Sequence, residues 1–346
     1  MSTAARSGPP APAAPKKKSP GLNTRSPAGD VVLDHLRGQA AALFENEQGF
    51  HRGEPGSVHR MRVATRRLRS ALQSFGTIVD REQTRELTDE LRRLGRVLGR
   101  SRDAEVVTRR LRDRIEETPA ELVLGEVDRQ LTRRTARRQA AADETVIEEL
   151  ASERYRALTE SIRQLLDRPP LTSTAADRAG AVLPALVARS WRGLDRTART
   201  ALSMQAEASA GTGTAGIDST GAGETRTTTS GSREQAALTA ALHEVRKRAR
   251  RTRYAAEVAR PVARRKARRL SRALRRLQRT LGTHQDTVLS RAALRELGAQ
   301  ARTQGQNGFT FGLWYGRDQE IARRIEEDFA EHWHRAARPR LRRWTR

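Results

Sequence analysis

Two histidines and the arginines spaced around them carry most of the chemistry this sequence offers. In "SVHRMRVATRRLRSALQSF" (Ser57–Phe75), His59, Arg62, Arg66 and Arg69 recur at helical spacing. At 100° per residue they fall within an arc of about 80°, and Met61, Thr65, Leu68, Leu72 and Phe75 fill an adjacent arc of about 80° that packs inward. Arg60 and Arg67 flank the apolar face on its other side. Guanidinium groups are planar, permanently charged and donate hydrogen bonds in pairs to phosphate oxygens, so a stripe bordering a packed face suits a phosphate-rich anion held in a groove. A solvated helix face is the competing reading for any single arginine-rich helix.

Repetition favours the groove. Shifted by 184 residues (243 − 59), "HRMRVATRRLR" (59–69) matches "HEVRKRARRTR" (243–253) in the pattern HxxRxxxRRxR. Arginine matches are cheap in this composition, but a histidine match is not, because the chain has only 7 histidines. The counterpart stripe is His243, Arg246, Arg250 and Arg253, with Lys247 beside it. A second echo follows at an offset of 183 (274 − 91), where "LRRLGRVLGRSRD" (91–103) matches "LRRLQRTLGTHQD" (274–286). Leu91, Leu94 and Leu98, like Leu274, Leu277 and Leu281, supply inward stripes. Arg92, Arg96 and Arg100, with Arg275 and Arg279, add basic candidates on the neighbouring side. Gly99 and Gly282 read as helix ends, and Asp103 and Asp286 as residues that cap a helix or restrain an arginine.

The histidines fit few catalytic roles. Val63 and Lys247 stand at i+4, and no HExxH or Cys-His pattern occurs, so no metal site is assigned. A phosphate-accepting imidazole needs an orienting carboxylate, and Glu244 is adjacent only in the second copy. Donating hydrogen bonds to phosphate, or anchoring the helix, needs nothing further. Beside a polyanion, protonation is favoured, which predicts tighter binding below about pH 6.5. There is no GxxxxGK loop, His-Asp dipeptide or GxSxG turn, so neither an enzyme nor a cofactor is expected.

The whole chain repeats the theme. Its 346 residues include 67 basic and 41 acidic side chains, a net charge of +26 that calls for a polyanionic partner. Only 5 of the 67 basic residues are lysine, a bias that suits phosphate and that a GC-rich genome would also produce. Without cysteine there are no disulfides, thiolate zinc sites or thiol catalysis. No apolar run of about 18 residues and no secretory signal occur, so membrane insertion is not expected and the cytoplasm is the expected location. Aromatic residues make up 4% of the chain, a poor supply of stacking platforms for single strands. Nucleic acid bound through phosphates alone is the alternative partner.

Positioning these stripes falls to helices, because Ala, Leu, Arg and Glu dominate and apolar residues recur every three or four positions. Residues 1–28 read as a disordered basic tail, 29–205 as a first helical lobe, and 206–232 as a low-complexity linker or insertion. Residues 233–337 read as a second helical lobe and 338–346 as a solvated basic tail. Predicted helices cover roughly 29–47, 56–76, 83–99, 102–117, 120–142, 144–167 and 177–203 in the first lobe. In the second they cover roughly 233–259, 261–281, 284–303 and 309–337. Short connections favour antiparallel bundles, and the fold class is all-α.

Taken together, the two motif pairs resemble the CHAD domain, a histidine-containing all-helical domain associated with inorganic polyphosphate, over about residues 29–337. The resemblance implies two pseudo-symmetric helical bundles with a basic groove or cavity between them, inorganic polyphosphate as the ligand, and targeting to polyphosphate granules. It also implies that His59, Arg62, Arg66 and Arg69, with His243, Arg246, Arg250 and Arg253, face that cavity. Many members carry an N-terminal triphosphate tunnel domain with an ExExK signature. That signature is absent from this chain, so its phosphohydrolase chemistry is not expected. Thr252 departs from the pattern, standing where an apolar residue is expected after the double arginine.

Overall fold

A computed structural model describes residues 21–212 and 224–345. The first half contains α1 (Ala28–His51), α2 (Ser57–Ser74), α3 (Arg85–Glu117), α4 (Val127–Ala151), α5 (Glu153–Asp167) and α6 (Ala179–Thr212). The second contains α7 (Glu224–Val258), α8 (Arg260–Thr303), α9 (Phe309–Glu327) and α10 (Phe329–Ala336). Among the described residues there is no extended strand, only two isolated bridges, Pro27 with Arg178 and Val79 with Leu171. The low-complexity stretch is entered by helix from both sides, since α6 runs to Thr212 and α7 begins at Glu224. Residues 213–223 and most of the N-terminal tail, 1–20, lie outside the described residues.

The apolar stripes behave as their periodicity dictates. Met61, Leu68, Leu72 and Phe75 are buried, as are Leu91, Leu94, Leu98, Leu274, Leu277 and Leu281. They join residues of α1, α5, α6, α7 and α10 in a main core that is continuous through both halves of the chain. A smaller core closes the far ends of α3, α4, α8 and α9 around Leu111, Leu131, Leu297, Phe311 and Trp314.

That second core explains why neither glycine ends a helix. The expected breaks after Gly99 and Gly282 do not occur, because α3 and α8 continue to Leu111 and Leu297, whose burial outweighs about 1 kcal/mol of helix propensity lost at each glycine. Only at Ala263 and Arg264, just after Pro261, does α8 depart from helical geometry. The C-terminal tail also differs from its sequence reading. Leu341 and Trp344 pack against the main core, and the Arg342 guanidinium lies 5.3 Å from the centre of the Trp191 ring, which itself stacks on Trp333. Thr252 is buried, and its hydroxyl donates to the Ser190 carbonyl at 3.1 Å, so a polar link between α7 and α6 takes the place of an apolar contact.

A buried ion cluster holds α9 to α3. Fully buried Asp318 accepts from Arg110 Nη2 at 2.5 Å and Arg114 Nη2 at 2.7 Å. Burial alone would push its carboxyl up, but the two arginines hold it below its ordinary value of 3.8, so the stability it contributes is lost as pH falls below that range. Asp318→Ala leaves Arg110 without a counterion and Arg114 with only the exposed Glu117 at 3.6 Å, and is expected to cost about 3–5 kcal/mol in urea unfolding. A loss under about 1 kcal/mol would show the cluster to be incidental.

Candidate basic cleft between α2 and α7

Both histidine motifs start on helices locked by their apolar stripes, so their basic stripes have little freedom of direction. On α7 the buried residues Leu242, Val245, Ala249 and Ala256 do what Met61, Leu68 and Leu72 do on α2. The two helices pack together directly. Arg66 Nε donates to the Tyr254 hydroxyl at 2.9 Å, and Arg251 Nη2 donates to Gln73 Oε1 at 2.5 Å.

Between them lies a cleft of about 120 Å³ walled by Arg66, Arg69, Lys247, Arg250 and Tyr254, with Glu244 at its edge. Through Gln73, Arg248 and Arg251 it continues into a wider recess of about 360 Å³ that adds Arg81 and Arg189. A third recess of about 390 Å³ extends past Arg81 to Arg85 and Arg92. The openings form a basic path along the seam.

Its electrostatics are unfavourable in the absence of an anion. Burial, and then the charges of Arg66 and Arg246, push the Arg250 guanidinium down from its ordinary range to about 9. Arg250 has no carboxylate at ion-pair distance among the described residues. Arg246 and Arg62 are lowered too, chiefly by burial, although Asp286 and Asp103 partly offset the loss. Arg62 lies 3.4 Å from Asp103, so this aspartate restrains an arginine within a helix rather than capping one. Each expected helix-ending glycine instead faces a guanidinium. A Cβ at Gly99 would lie 3.7 Å from Arg62 Nε, and one at Gly282 would lie 3.5 Å from Arg246 Nη2.

The histidines are half-buried, and Nδ1 of both His59 and His243 is buried without a partner. Burial lowers both below 6.5, reinforced at His59 by Arg102, Arg66 and Arg62 and at His243 by Lys247, Arg246 and Arg250. Tyr254 moves the other way from a buried phenol. Burial would raise it, but Arg66 and Arg253 carry it below its ordinary value of 10.0.

Other expected site residues are placed elsewhere. Arg253 pairs with buried Glu257 at 2.9 Å, and Arg275 reaches the same carboxylate at 3.7 Å, so both serve an internal counterion that also meets Arg67 at 3.4 Å. Arg92 pairs with Asp89 at 3.0 Å on the outer recess. Arg96 is exposed, and exposed Arg100 edges a separate cleft between α3, α4 and α8. Arg279 stands on the outer side of α8 beside a recess formed with α10. Spacing placed these arginines on a shared face, whereas helix packing turned them to different neighbours. Conversely, Arg81, Arg189, Arg248 and Arg251 line the cleft without having stood out in the sequence. Arg251 occupies the motif position of Arg67, but it bonds Gln73 whereas Arg67 pairs with Glu257. Among the described residues no group of three or more His, Cys, Asp or Glu is arranged to hold a metal ion, and no helix is long and apolar enough to cross a membrane.

The CHAD domain family model matches residues 34–295, three quarters of the chain (262 of 346). This chain belongs to the CHAD family. CHAD domains are associated with polyphosphate binding. Two Mycobacterium tuberculosis proteins, uncharacterized proteins MT2285 and Rv2226, are each 30% identical over 309 residues, which cover 88% of this chain and 53% of theirs. The chain therefore spans about half the length of these curated relatives. PptA from Streptomyces chartreusis shares the fold at a TM-score of 0.65 and 18% identity, over 89% of this chain and 100% of that one. The CHAD domain from the plant Ricinus communis does so at 0.59 and 22%, over 93% of this chain and 95% of that one.

Within this CHAD domain, Arg250 marks where charge opposes folding. Its folded-state value lies below its unfolded one, so the penalty is present below about pH 9 and relieved as pH rises through that value. Arg250→Met keeps most of the aliphatic stem and removes the charge. It is expected to raise the Tm of the anion-free protein at pH 7 by about 2 °C or more in calorimetry. A lower Tm would refute the reading of Arg250 as a strained cation.

Proposed function

We propose that this CHAD protein binds inorganic polyphosphate along the α2–α7 seam, without turning it over, and that this binding targets it to polyphosphate granules. The observation that carries the reading is the convergence of Arg62, Arg66, Arg246 and Arg250, whose nearby carboxylates are too few to neutralise them. A linear chain of phosphates supplies the missing charge without bases to stack or edges to read. Tyr254 is the one aromatic side chain on the wall of the central cleft. Each charge-assisted contact at a partly desolvated arginine contributes about 1.5–3 kcal/mol, shared along the polymer. His59 and His243 are held neutral by burial and then by neighbouring cations, and an arriving anion would cancel the second of these effects.

Changing Arg62, Arg66, Arg246 and Arg250 together to Ala is expected to lower affinity for long-chain polyphosphate about tenfold or more, with helicity by circular dichroism unchanged. Unchanged retention on a polyphosphate column would sink the assignment. Orthophosphate release from polyphosphate in the presence of magnesium would overturn the non-catalytic part.

Proton linkage gives a separate check. Both imidazoles stay neutral to below pH 6.5 in the free protein and gain a proton as bound phosphate neutralises their neighbours, so affinity rises as pH falls. Titration calorimetry between about pH 8 and 5.5 should therefore record proton uptake on binding, reduced when His59 and His243 are both replaced by Gln. A flat affinity over that range would make the histidines structural anchors only.

A further inference from the structure

The outward side of α8 carries a second concentration of charge that the α2–α7 seam does not use. From Arg264 to Arg279 the sequence reads RRKARRLSRALRRLQR, with nine basic residues and no acid. Ala267, Leu270, Leu274 and Leu277 are buried, which fixes the inward side of the helix. At 100° per residue, Arg265, Arg268, Arg269, Arg272, Arg276 and Arg279 fall within an arc of about 100° on the opposite side. All six are exposed. With a rise of 1.5 Å per residue, they form a row about 21 Å long.

Several exposed arginines on other helices have an acid one turn away, as in Arg163 with Glu160, Arg199 with Asp195 and Arg323 with Glu320. Among the described residues, none of the six α8 side chains has a hydrogen-bond or ion-pair partner. They stand three and four positions from one another, where like charges repel along a helix. Salt screens that repulsion, and a polyanion laid along the row relieves it further while releasing its own counterions.

The row, whose Arg276 and Arg279 border the recess with α10, lacks the features other polyanionic partners need. An interfacial membrane helix requires apolar side chains beside its cations, and those of α8 are committed to the core. Single strands are gripped by stacking, and no aromatic residue interrupts the row. A duplex presents phosphates on both sides of a groove about 12 Å wide, which admits a helix about 10–12 Å across. We propose that the outer face of α8 is a docking surface for double-stranded DNA, held through its phosphates without sequence preference and separate from the α2–α7 cleft. One chain would then hold DNA and a second polyanion at the same time.

Anisotropy of a fluorescent DNA duplex tests this with the full chain. Relative to wild type, R268Q/R269Q/R272Q/R276Q is expected to bind about tenfold or more weakly, and the slope of log affinity against log salt between about 50 and 200 mM should shrink by about 3–4. Lys at the same four positions should restore both, because phosphate contacts of this kind require charge alone. Polyphosphate retention should stay within about twofold of wild type in the Gln variant, while the fourfold Ala variant of the cleft keeps its duplex binding. Circular dichroism identifies a misfolded variant, in which case the Lys series and the cleft variant still decide. Undiminished duplex binding by the folded Gln variant, or loss of duplex binding with the cleft arginines, overturns the proposal. So does tighter binding through the same four residues to phosphatidylglycerol vesicles than to the duplex.

Discussion

Repulsion between buried cations is the constraint around which this molecule is arranged. Arg62, Arg246 and Arg250 lose water through burial, and the charge of Arg66 beside them depresses their ionisation further. Nothing in the arginines themselves favours that arrangement. It is imposed by the adjacent apolar stripes, whose buried leucines and methionine hold α2 and α7 at the centre of a core shared by both halves of the chain. Hydrophobic burial of about 1.5–3 kcal/mol per large side chain is ample to hold a few like charges together.

Compensation is partial and positioned. Asp103 and Asp286 temper Arg62 and Arg246, and Glu257 gathers Arg67, Arg253 and Arg275 to one side. Arg250, which lacks such a partner, shows the largest effect among the cleft arginines. The acids therefore sort the arginines into those spoken for by the fold and those left facing an open cleft. Gly99 and Gly282 take part in that sorting, since each leaves the side of a guanidinium uncovered where any other residue would place its Cβ against it.

Periodicity made the helices, the buried stripes and the two-copy basic motif legible from the sequence, because each is set within one or two turns of chain. Helix ends were less legible. Gly99 and Gly282 carry a local stop signal that is overruled by apolar contacts more than ten residues further on, at Leu111 and Leu297. The C-terminal tail reads as solvated until Trp344 is seen against the core. The site divided in the same way. Arg66 and Arg250 could be placed from spacing alone, whereas Arg81, Arg189 and Arg251 reach the cleft through tertiary packing that no spacing rule encodes. Arg253 and Arg275 were misdirected by spacing because Glu257, which captures them, lies outside the shared motif positions.

Tyr254 gives the cleft an optical property of its own. The chain has 3 tyrosines. Burial and the neighbouring Glu47 push Tyr155 above the ordinary phenol range, whereas the arginines around Tyr254 bring it below. A phenol changes its ultraviolet absorption when it loses its proton, so the ionisation of Tyr254 reports the local field of the guanidinium groups. Any anion that neutralises them returns that phenol toward its ordinary value. The charge state of the cleft is thereby written into the absorption spectrum of the unlabelled protein.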